Sequence, residues 1–482
     1  MTKKFYITSA IPYVNAKPHI GHALEFVQTD VVARYHKLLG EKVTKLCGGD
    51  ENALKNVQAA EKEGTPIQEF VDKNNTLFEK LAAKLNAGYD IWQKGSDQKK
   101  HYASSQKLWK LCKADIYQKK YKGLYCIGCE TFYTQDELNA KGECFEHPGK
   151  KLEEVEEKNY FFTLSNYQNK LINLIQSNKL EIVPEKRRNE VLAFLKGHLD
   201  DISISRTNER ARNWGVPVPG DPDQRIYVWF DALNIYQSGI GFGWDNNMYQ
   251  KIWPADVHVI GKGILRFHAV YWPAFLLSAG LKLPKKIFVH EYFTVNGQKM
   301  SKTLGNVVDP AELIVKYAKV IGETASVDGL RYYLLGKFSP FSDGDFSEEK
   351  FREVYNSDLA NGLGNLVARV TKLCENSKLS FRQSPVVKLN NTVFLALEEY
   401  RFDNALEQIW TVLRSLDQKL SVDKPWTQKP KDQENTLQQC VDTVRLVTYY
   451  LKPFLPQTAE KLDMIFTDPK IKGGEILFPR LR

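Results

Sequence analysis

Residues 5 to 51 read FYITSAIPYVNAKPHIGHALEFVQTDVVARYHKLLGEKVTKLCGGDE. The short apolar run from Phe5 to Ala10 predicts a strand. From Gly21 to Leu39 apolar residues recur at helical spacing, and Gly40 can close that helix at its C′ position. Lys42 to Cys47 predicts a second strand. A strand, a loop and a helix returning to a strand make the βαβ unit of a parallel sheet, which binds ligands at the carboxyl ends of its strands. The expected fold class is therefore α/β.

Outward from this unit, Ile226 to Phe230, Val257 to Ile260 and Ile287 to Val289 read as later strands of the same sheet, each followed by a Gly, Asp or His cluster. Between about Asp115 and Arg225 the sequence turns rich in lysine and tyrosine, gathers cysteines, and ends in Pro and Gly from Trp214 to Asp223. That is the pattern of a domain inserted into the sheet. After Ser347, able to cap a helix led by Glu348 and Glu349, the chain turns almost wholly helical. Ala405, Ile409, Val412, Leu416 and Leu420 keep helical spacing, as do Val444, Val447, Leu451 and Leu455, so a helical bundle closes the chain. The expected division is 1–114 and 226–294 for the two halves of the sheet domain, 115–225 for the insertion, 295–350 for a connecting region and 351–482 for the bundle.

A chain of 482 residues exceeds what one hydrophobic core usually serves. Its 67 Lys and Arg against 58 Asp and Glu give a net charge of +9, which suits a polyanionic partner without requiring one. No apolar run approaches the roughly 18 residues of a membrane span, and Pro12 and Asn15 interrupt the N-terminus before a secretory core could form. A cytoplasmic protein without membrane attachment is expected. Seven cysteines are too few for a disulfide scaffold, and three cluster with a histidine.

Three motifs carry chemistry. In Pro18-His19-Ile20-Gly21-His22, two imidazoles three residues apart share one face of a first helical turn, whose backbone N–H groups and positive dipole end suit a phosphate. Taken alone, such histidines serve equally as caps of the helix start. Lys299-Met300-Ser301-Lys302-Thr303 follows the turn dipeptide Asn296-Gly297, and two loop lysines can neutralise the β- and γ-phosphates of ATP. A lysine pair on a loop is otherwise ordinary solvated surface. Cys126, Cys129, Cys144 and His147 are spaced as a tetrahedral Cys₃His zinc set, and four protein ligands leave no open position for catalysis, so the Zn²⁺ is structural.

The first two motifs together resemble the HIGH and KMSKS signatures of class I aminoacyl-tRNA synthetases, with Thr303 in place of the last serine. The zinc knuckle, with Gly123 to Cys126, Phe132-Tyr133 and Asn159 to Phe162, resembles the methionyl-tRNA synthetases in particular. The resemblance runs along essentially the whole chain. It implies a Rossmann-type catalytic domain split by a zinc-binding connective insertion and followed by an all-α anticodon-binding bundle, with ATP, Mg²⁺, L-methionine and tRNA(Met) as partners. It further implies an ATP site of His19, Gly21, His22, Lys299, Ser301 and Lys302, with His19, His22, Lys299 and Lys302 catalytic. The family's methionine pocket is similar to Ala10, Ile11 and Tyr13, then Trp229, Ala232 and Tyr236, then Ile264, Phe267, His268 and Trp272; Asp50 matches the residue that pairs with the α-ammonium. Aromatic faces suit an unbranched thioether, and a carboxylate recognises an amino acid as such. Asn365, Arg369 and Trp426 resemble the family's anticodon-reading residues, a set whose types suit stacking and edge readout of loop bases. Without the resemblance, Trp426 reads as a packing tryptophan.

Asn52-Ala53 stands where the family commonly has His-Gly, Gly263 replaces an aspartate and Leu233 a proline. Other amino acids, such as leucine, valine or cysteine, are weighed against by the aromatic set, by the lack of a long insertion able to house an editing domain, and by the position of the cysteine cluster. A catalytically silent tRNA-binding paralogue is the alternative from another class. The chain ends at Arg482 soon after the bundle, and a monomer is expected.

Overall fold

The N-terminal pattern folds as read. Strands β1 (Lys4–Ser9) and β2 (Lys42–Gly49) flank helix α1 (Ile20–Leu38) in the chain and pair in parallel, Ile7 facing Lys45. With β3 (Ile91–Lys94), β4 (Glu181–Val183), β5 (Val257–Gly261) and β6 (Lys286–His290) they form a six-stranded parallel sheet of order β3-β2-β1-β5-β6-β4. Phe5 to Ser9 and all of β5 are buried. Parallel sheets covered on both faces are built from such continuous apolar runs, not from alternating ones.

This computed structural model describes residues 2–126, 131–133, 135–144, 149–300, 305–383, 392–474 and 476–482. The chain divides into two compact units. One comprises residues 1–18, 40–80 and 89–290; the other comprises 19–39, 81–88 and 291–482.

In the first unit the parallel sheet is joined by an antiparallel one. Strand Ile116–Cys126 pairs with Glu153–Phe162 in unbroken register from Ile116 opposite Phe162 to Tyr125 opposite Glu153, and Thr131–Tyr133 and Ile202–Ser203 extend the sheet on either side. One expectation is overturned here. Ile226 to Phe230 is not a strand of the parallel sheet: Asp221–Ile226 belongs to a small antiparallel sheet, and Val228–Ala232 is a short helix. Val228, Trp229 and Phe230 are buried, and a short buried apolar run has no period that separates strand from helix. The edge strands β3 and β4, of four and three residues, escape a reading based on apolar runs. β4 comes from within 115–225, the stretch read as an insertion.

The second unit is mostly helical, with a small sheet of Phe293–Val295, Gln298–Lys299 and Gly344–Phe346. Ser347 caps Glu348–Val354 by accepting from Lys350 N, as its sequence context predicts. Tyr355–Gly364 is π-helical and runs into Asn365–Ser377; Phe402–Asp423, Pro430–Leu451 and Pro456–Thr467 follow. Ala405, Ile409, Leu416 and Leu420 are buried on one helix, and Val444, Val447 and Leu451 on the next. Among the described residues no helix is long and apolar enough to cross a membrane.

The polar centre of this unit is Arg331, wholly buried on helix Glu323–Gly336. Its guanidinium donates to Asp30 Oδ2 on α1 at 2.9 Å, to Leu85 O at 3.0 Å, and to Pro453 O and Phe454 O at 3.0 and 2.8 Å. Arg34 Nε reaches the same Asp30 oxygen at 2.7 Å. Removing the guanidinium leaves Asp30 with Arg34 alone and takes the donor from three backbone carbonyls, at a cost of roughly 3–5 kcal/mol. Arg331→Met therefore lowers the stability of the helical unit by about that amount in urea unfolding followed by circular dichroism; a midpoint unchanged from the parent would contradict the network.

Candidate active site

The helix start at His19 is built by its own side chains. His19 is the N-cap of α1, and its Nδ1 accepts from Gly21 N at 3.1 Å, while His22 Nδ1 accepts from His19 N at 3.1 Å. The rings lie 3.9 Å apart between centroids. An imidazole that accepts at Nδ1 in its neutral form carries its proton on Nε2, so the reciprocal cap fixes both tautomers. The two readings of the tetrapeptide are thus compatible: the histidines cap the helix and also carry Nε2–H donors. Gly21 is needed for closeness, because a Cβ there would stand 3.0 Å from the His19 ring and 3.8 Å from Met300 Cε.

Met300, next to Lys299, is thus near the same helix start. Asn296 and Gly297, both at positive φ, turn strand Phe293–Val295 into Gln298–Lys299. Asp345 Oδ1 accepts from Gly297 N and Thr294 Oγ1, each at 2.7 Å, and these bonds hold its carboxyl below the usual range. Downstream, Val308 O accepts from Ile20 N at 3.0 Å. Lys299 is exposed. Ser301 and Lys302 lie outside the described residues.

In the sheet-bearing unit, Asp50 is buried at the carboxyl end of β2 and bridges to Tyr13 in the loop after β1, its N–H donating to Pro12 O at 2.9 Å. Tyr13 meets Trp229 edge-on with centroids 6.0 Å apart, and Trp229 stacks on Phe267 at 3.7 Å and 5°. Trp229 also meets His268 edge-on. Beyond it, Tyr236 lies against both His268 and Trp272. Ala10, Ala232, Tyr236, His268 and Trp272 are buried, and Ile11 and Ile264 partly so. The aromatic part of the predicted pocket is thus one contiguous cluster.

Its polar groups are kept neutral. His268 Nδ1 donates to Ile264 O at 2.9 Å, leaving Nε2 to accept from the Tyr236 hydroxyl at 2.8 Å. Burial pushes His268 down to about 4, and burial followed by the neighbouring His268 holds His258 well below its ordinary value. Lys55 Nζ lies over the outer member, 2.8 Å from the Tyr13 ring centroid, while the wall around Trp229, Phe267 and His268 offers aromatic faces suited to an uncharged thioether.

Sequence reasoning missed the carboxylates beside Asp50. Glu51 is buried; its Oε2 accepts from Ser96 N at 2.9 Å and Ser96 Oγ at 2.6 Å, and its Oε1 from Asn75 Nδ2 at 2.5 Å. Burial raises its pKa against these bonds. Asp231, also buried, accepts through Oδ1 from Ser105 Oγ at 2.7 Å and bonds His101 Nε2 at 2.8 Å, while its Oδ2 accepts from Asn52 Nδ2 at 2.6 Å. Gly48 was the available signal: a Cβ there would sit 2.0 Å from Gln93 O, marking a strand end pressed against its neighbour.

Cys126 and Cys144 are buried with Sγ atoms 3.3 Å apart. That is too long for a disulfide of about 2.05 Å and close to the roughly 3.8 Å between two thiolates at Zn–S bonds of about 2.3 Å, so the sulfurs fit a shared metal. Cys129 and His147 lie outside the described residues, among which no cluster of three or more metal-binding side chains forms. In the bundle, Asn365 is exposed and Arg369 pairs with Asp417. Trp426 is 53% exposed in the turn Pro425–Thr427, which overturns its reading as a packing tryptophan.

Comparison with known proteins matches these features. The family model described as tRNA synthetases class I (M) matches residues 5–371. The chain is 39% identical to a methionine–tRNA ligase of Brucella suis, the alignment covering 98% of this chain and 93% of that protein. It is also 39% identical to a methionine–tRNA ligase of Thermotoga maritima, over 95% and 74% of the two chains. Its structure is similar to that of Mycobacterium tuberculosis methionyl-tRNA synthetase in complex with methionyl-adenylate, with a TM-score of 0.90, 36% identity, and 99% and 100% of the two chains covered.

The buried histidines make stability depend on pH. Because the folded pKa of His268 lies below its unfolded value near 6.5, the unfolded chain binds a proton that the native chain refuses. Stability is then lost as pH falls from about 6.5 towards about 4, with a slope approaching about 1.4 kcal/mol per pH unit for this group. His268→Gln flattens this dependence in denaturant melts compared at pH 7 and pH 5; the same loss in variant and parent would contradict it.

Proposed function

The chain belongs to the methionine–tRNA ligases, within the class I tRNA synthetases, and from that premise we propose that it activates L-methionine with ATP and passes it to the 3′-terminal adenosine of tRNA(Met). The observation that carries the substrate reading is the aromatic cluster of Tyr13, Trp229, Phe267 and His268, with the buried Asp50 paired through its backbone to Tyr13. Asp50 takes the α-ammonium. The aromatic rings, with Ala10, Ile11, Ala232, Tyr236, Ile264 and Trp272, enclose the thioether.

In the first step a carboxylate oxygen of methionine attacks the α-phosphorus of ATP. The new O–P bond forms as the bond to the pyrophosphate oxygen breaks, and little covalent chemistry is asked of the protein. Mg²⁺ bound with ATP neutralises phosphate charge. His19 and His22 donate from Nε2 to the α-phosphate oxygens, where negative charge is redistributed in the transition state. Gly21 lets the nucleotide approach the helix start, and Lys299, Ser301 and Lys302 hold the leaving pyrophosphate. In the second step a ribose hydroxyl of the tRNA's terminal adenosine attacks the activated carbonyl, and AMP leaves. Cys126, Cys129, Cys144 and His147 would hold a structural Zn²⁺ that fixes the inserted hairpin, and Asn365, Arg369 and Trp426 read the anticodon. The division 1–114, 115–225, 226–294, 295–350 and 351–482 assigns these tasks to successive parts of the chain. Nothing favours a silent tRNA-binding paralogue, since the HIGH histidines are built into the helix start.

Methionine-dependent exchange of labelled pyrophosphate into ATP tests the first step. The parent supports exchange, and His22→Ala lowers its rate about 10²- to 10³-fold; no exchange in the parent, or an unchanged rate in the variant, would overturn the mechanism. Trp426→Ala leaves exchange intact and raises the KM for tRNA in aminoacylation about tenfold or more, from the loss of one stacked base. Equal tRNA kinetics would remove Trp426 from the anticodon site.

A further inference from the structure

The short helix Val228–Ala232 carries two residues of the proposed pocket, Trp229 and Ala232, yet it has only five residues. A helix so short has negligible stability of its own, and its position is set by tertiary contacts. Between Trp229 and Ala232 it presents Asp231, whose two carboxylate oxygens face different partners. Oδ1 is held by His101 and Ser105, and Oδ2 by Asn52.

Asn52 lies two residues after Asp50. Its Nδ2 donates both to Asp231 Oδ2 at 2.6 Å and to Gly95 O at 2.8 Å, and Tyr102 donates its hydroxyl to Asn52 Oδ1 at 3.5 Å. Gly95 N in turn donates to Gly49 O at 3.0 Å. One carboxamide thus cross-links the end of β2, the turn after β3 and the helix that carries the aromatic wall. We infer that Asn52 and Asp231 are a positioning pair, which holds Trp229 and Ala232 at a fixed distance from Asp50 and so sets the span between the ammonium and thioether subsites.

The inference rests on the methionine reading of Asp50 and Trp229, and the experiment separates the two. Pyrophosphate exchange is first measured in the parent with methionine; absence of exchange sinks the methionine reading itself. With exchange present, Asn52→Ala raises the KM for methionine about tenfold while the KM for ATP stays within twofold. A methionine KM within twofold of the parent, or equal rises for both substrates, overturns the positioning role.

A reciprocal exchange distinguishes positioning from general damage. Asn52→Asp alone sets two carboxylates face to face, and Asp231→Asn alone sets an amide against an amide. In the double variant the new carboxamide at 231 offers its oxygen to His101 and Ser105 and its NH₂ to the new carboxylate at 52. The double variant then recovers a lower methionine KM than either single variant, although Gly95 O loses its donor. A double variant no better than the worse single one overturns the pair. Thermal unfolding recorded on each protein confirms that the compared variants are folded.

Discussion

A single buried guanidinium organises the helical unit. Arg331 has no water to solvate it, so each of its donors must find an acceptor, and it finds them on three stretches far apart in sequence: Asp30 on α1, Leu85, and the carbonyls of Pro453 and Phe454. The planar fork of arginine suits this task because its donors are fixed in direction and its charge persists at any physiological pH. Asp30 is shared with Arg34, which also reaches Asn86 O, so the middle of α1 is tied to the chain around residue 86 from both sides. The middle of the helix capped by His19 is thereby anchored, and Val308 O binds its first turn.

The sheet-bearing unit meets the same problem with opposite charges. Asp50, Glu51 and Asp231 are all buried near the carboxyl ends of strands or just beyond them. None is tolerable there without donors, and amides, hydroxyls and backbone N–H groups supply them for Glu51 and Asp231. The aromatic cluster follows another rule, because its histidines are neutral and joined to oxygen acceptors or hydroxyls. Carboxylates fixed by dipoles lie beside an aromatic wall whose histidines are neutral.

What the sequence made legible was local. The βαβ start, the Asn296-Gly297 turn and the Ser347 cap each rest on signals within a few residues, and each forms as expected. The aromatic cluster was legible only through resemblance, since no spacing rule joins Tyr13 to Trp229 and Phe267. Ile226 to Phe230 misled because burial, not periodicity, selects apolar residues there. β3 and β4 are too short to carry a pattern. Arg331 was invisible for a deeper reason: an arginine within a helix reads as a solvated face, and only the fold shows that its partners arrive from positions some 120 to 300 residues away. The Asn52 departure was legible as a difference, but Asp231, its partner, lies 179 positions on.

The reciprocal cap at His19 and His22 has a thermodynamic consequence of its own. In most binding sites a side chain must surrender rotamer freedom when the ligand arrives, and that lost entropy subtracts from affinity. Here both imidazoles give up that freedom during folding, because each completes the hydrogen bonding of the helix start. Both rings are thereby held in place, with the tautomer set by the bond each accepts at Nδ1. The ordering cost is met in the stability of the helix, before any ligand of the proposed site arrives.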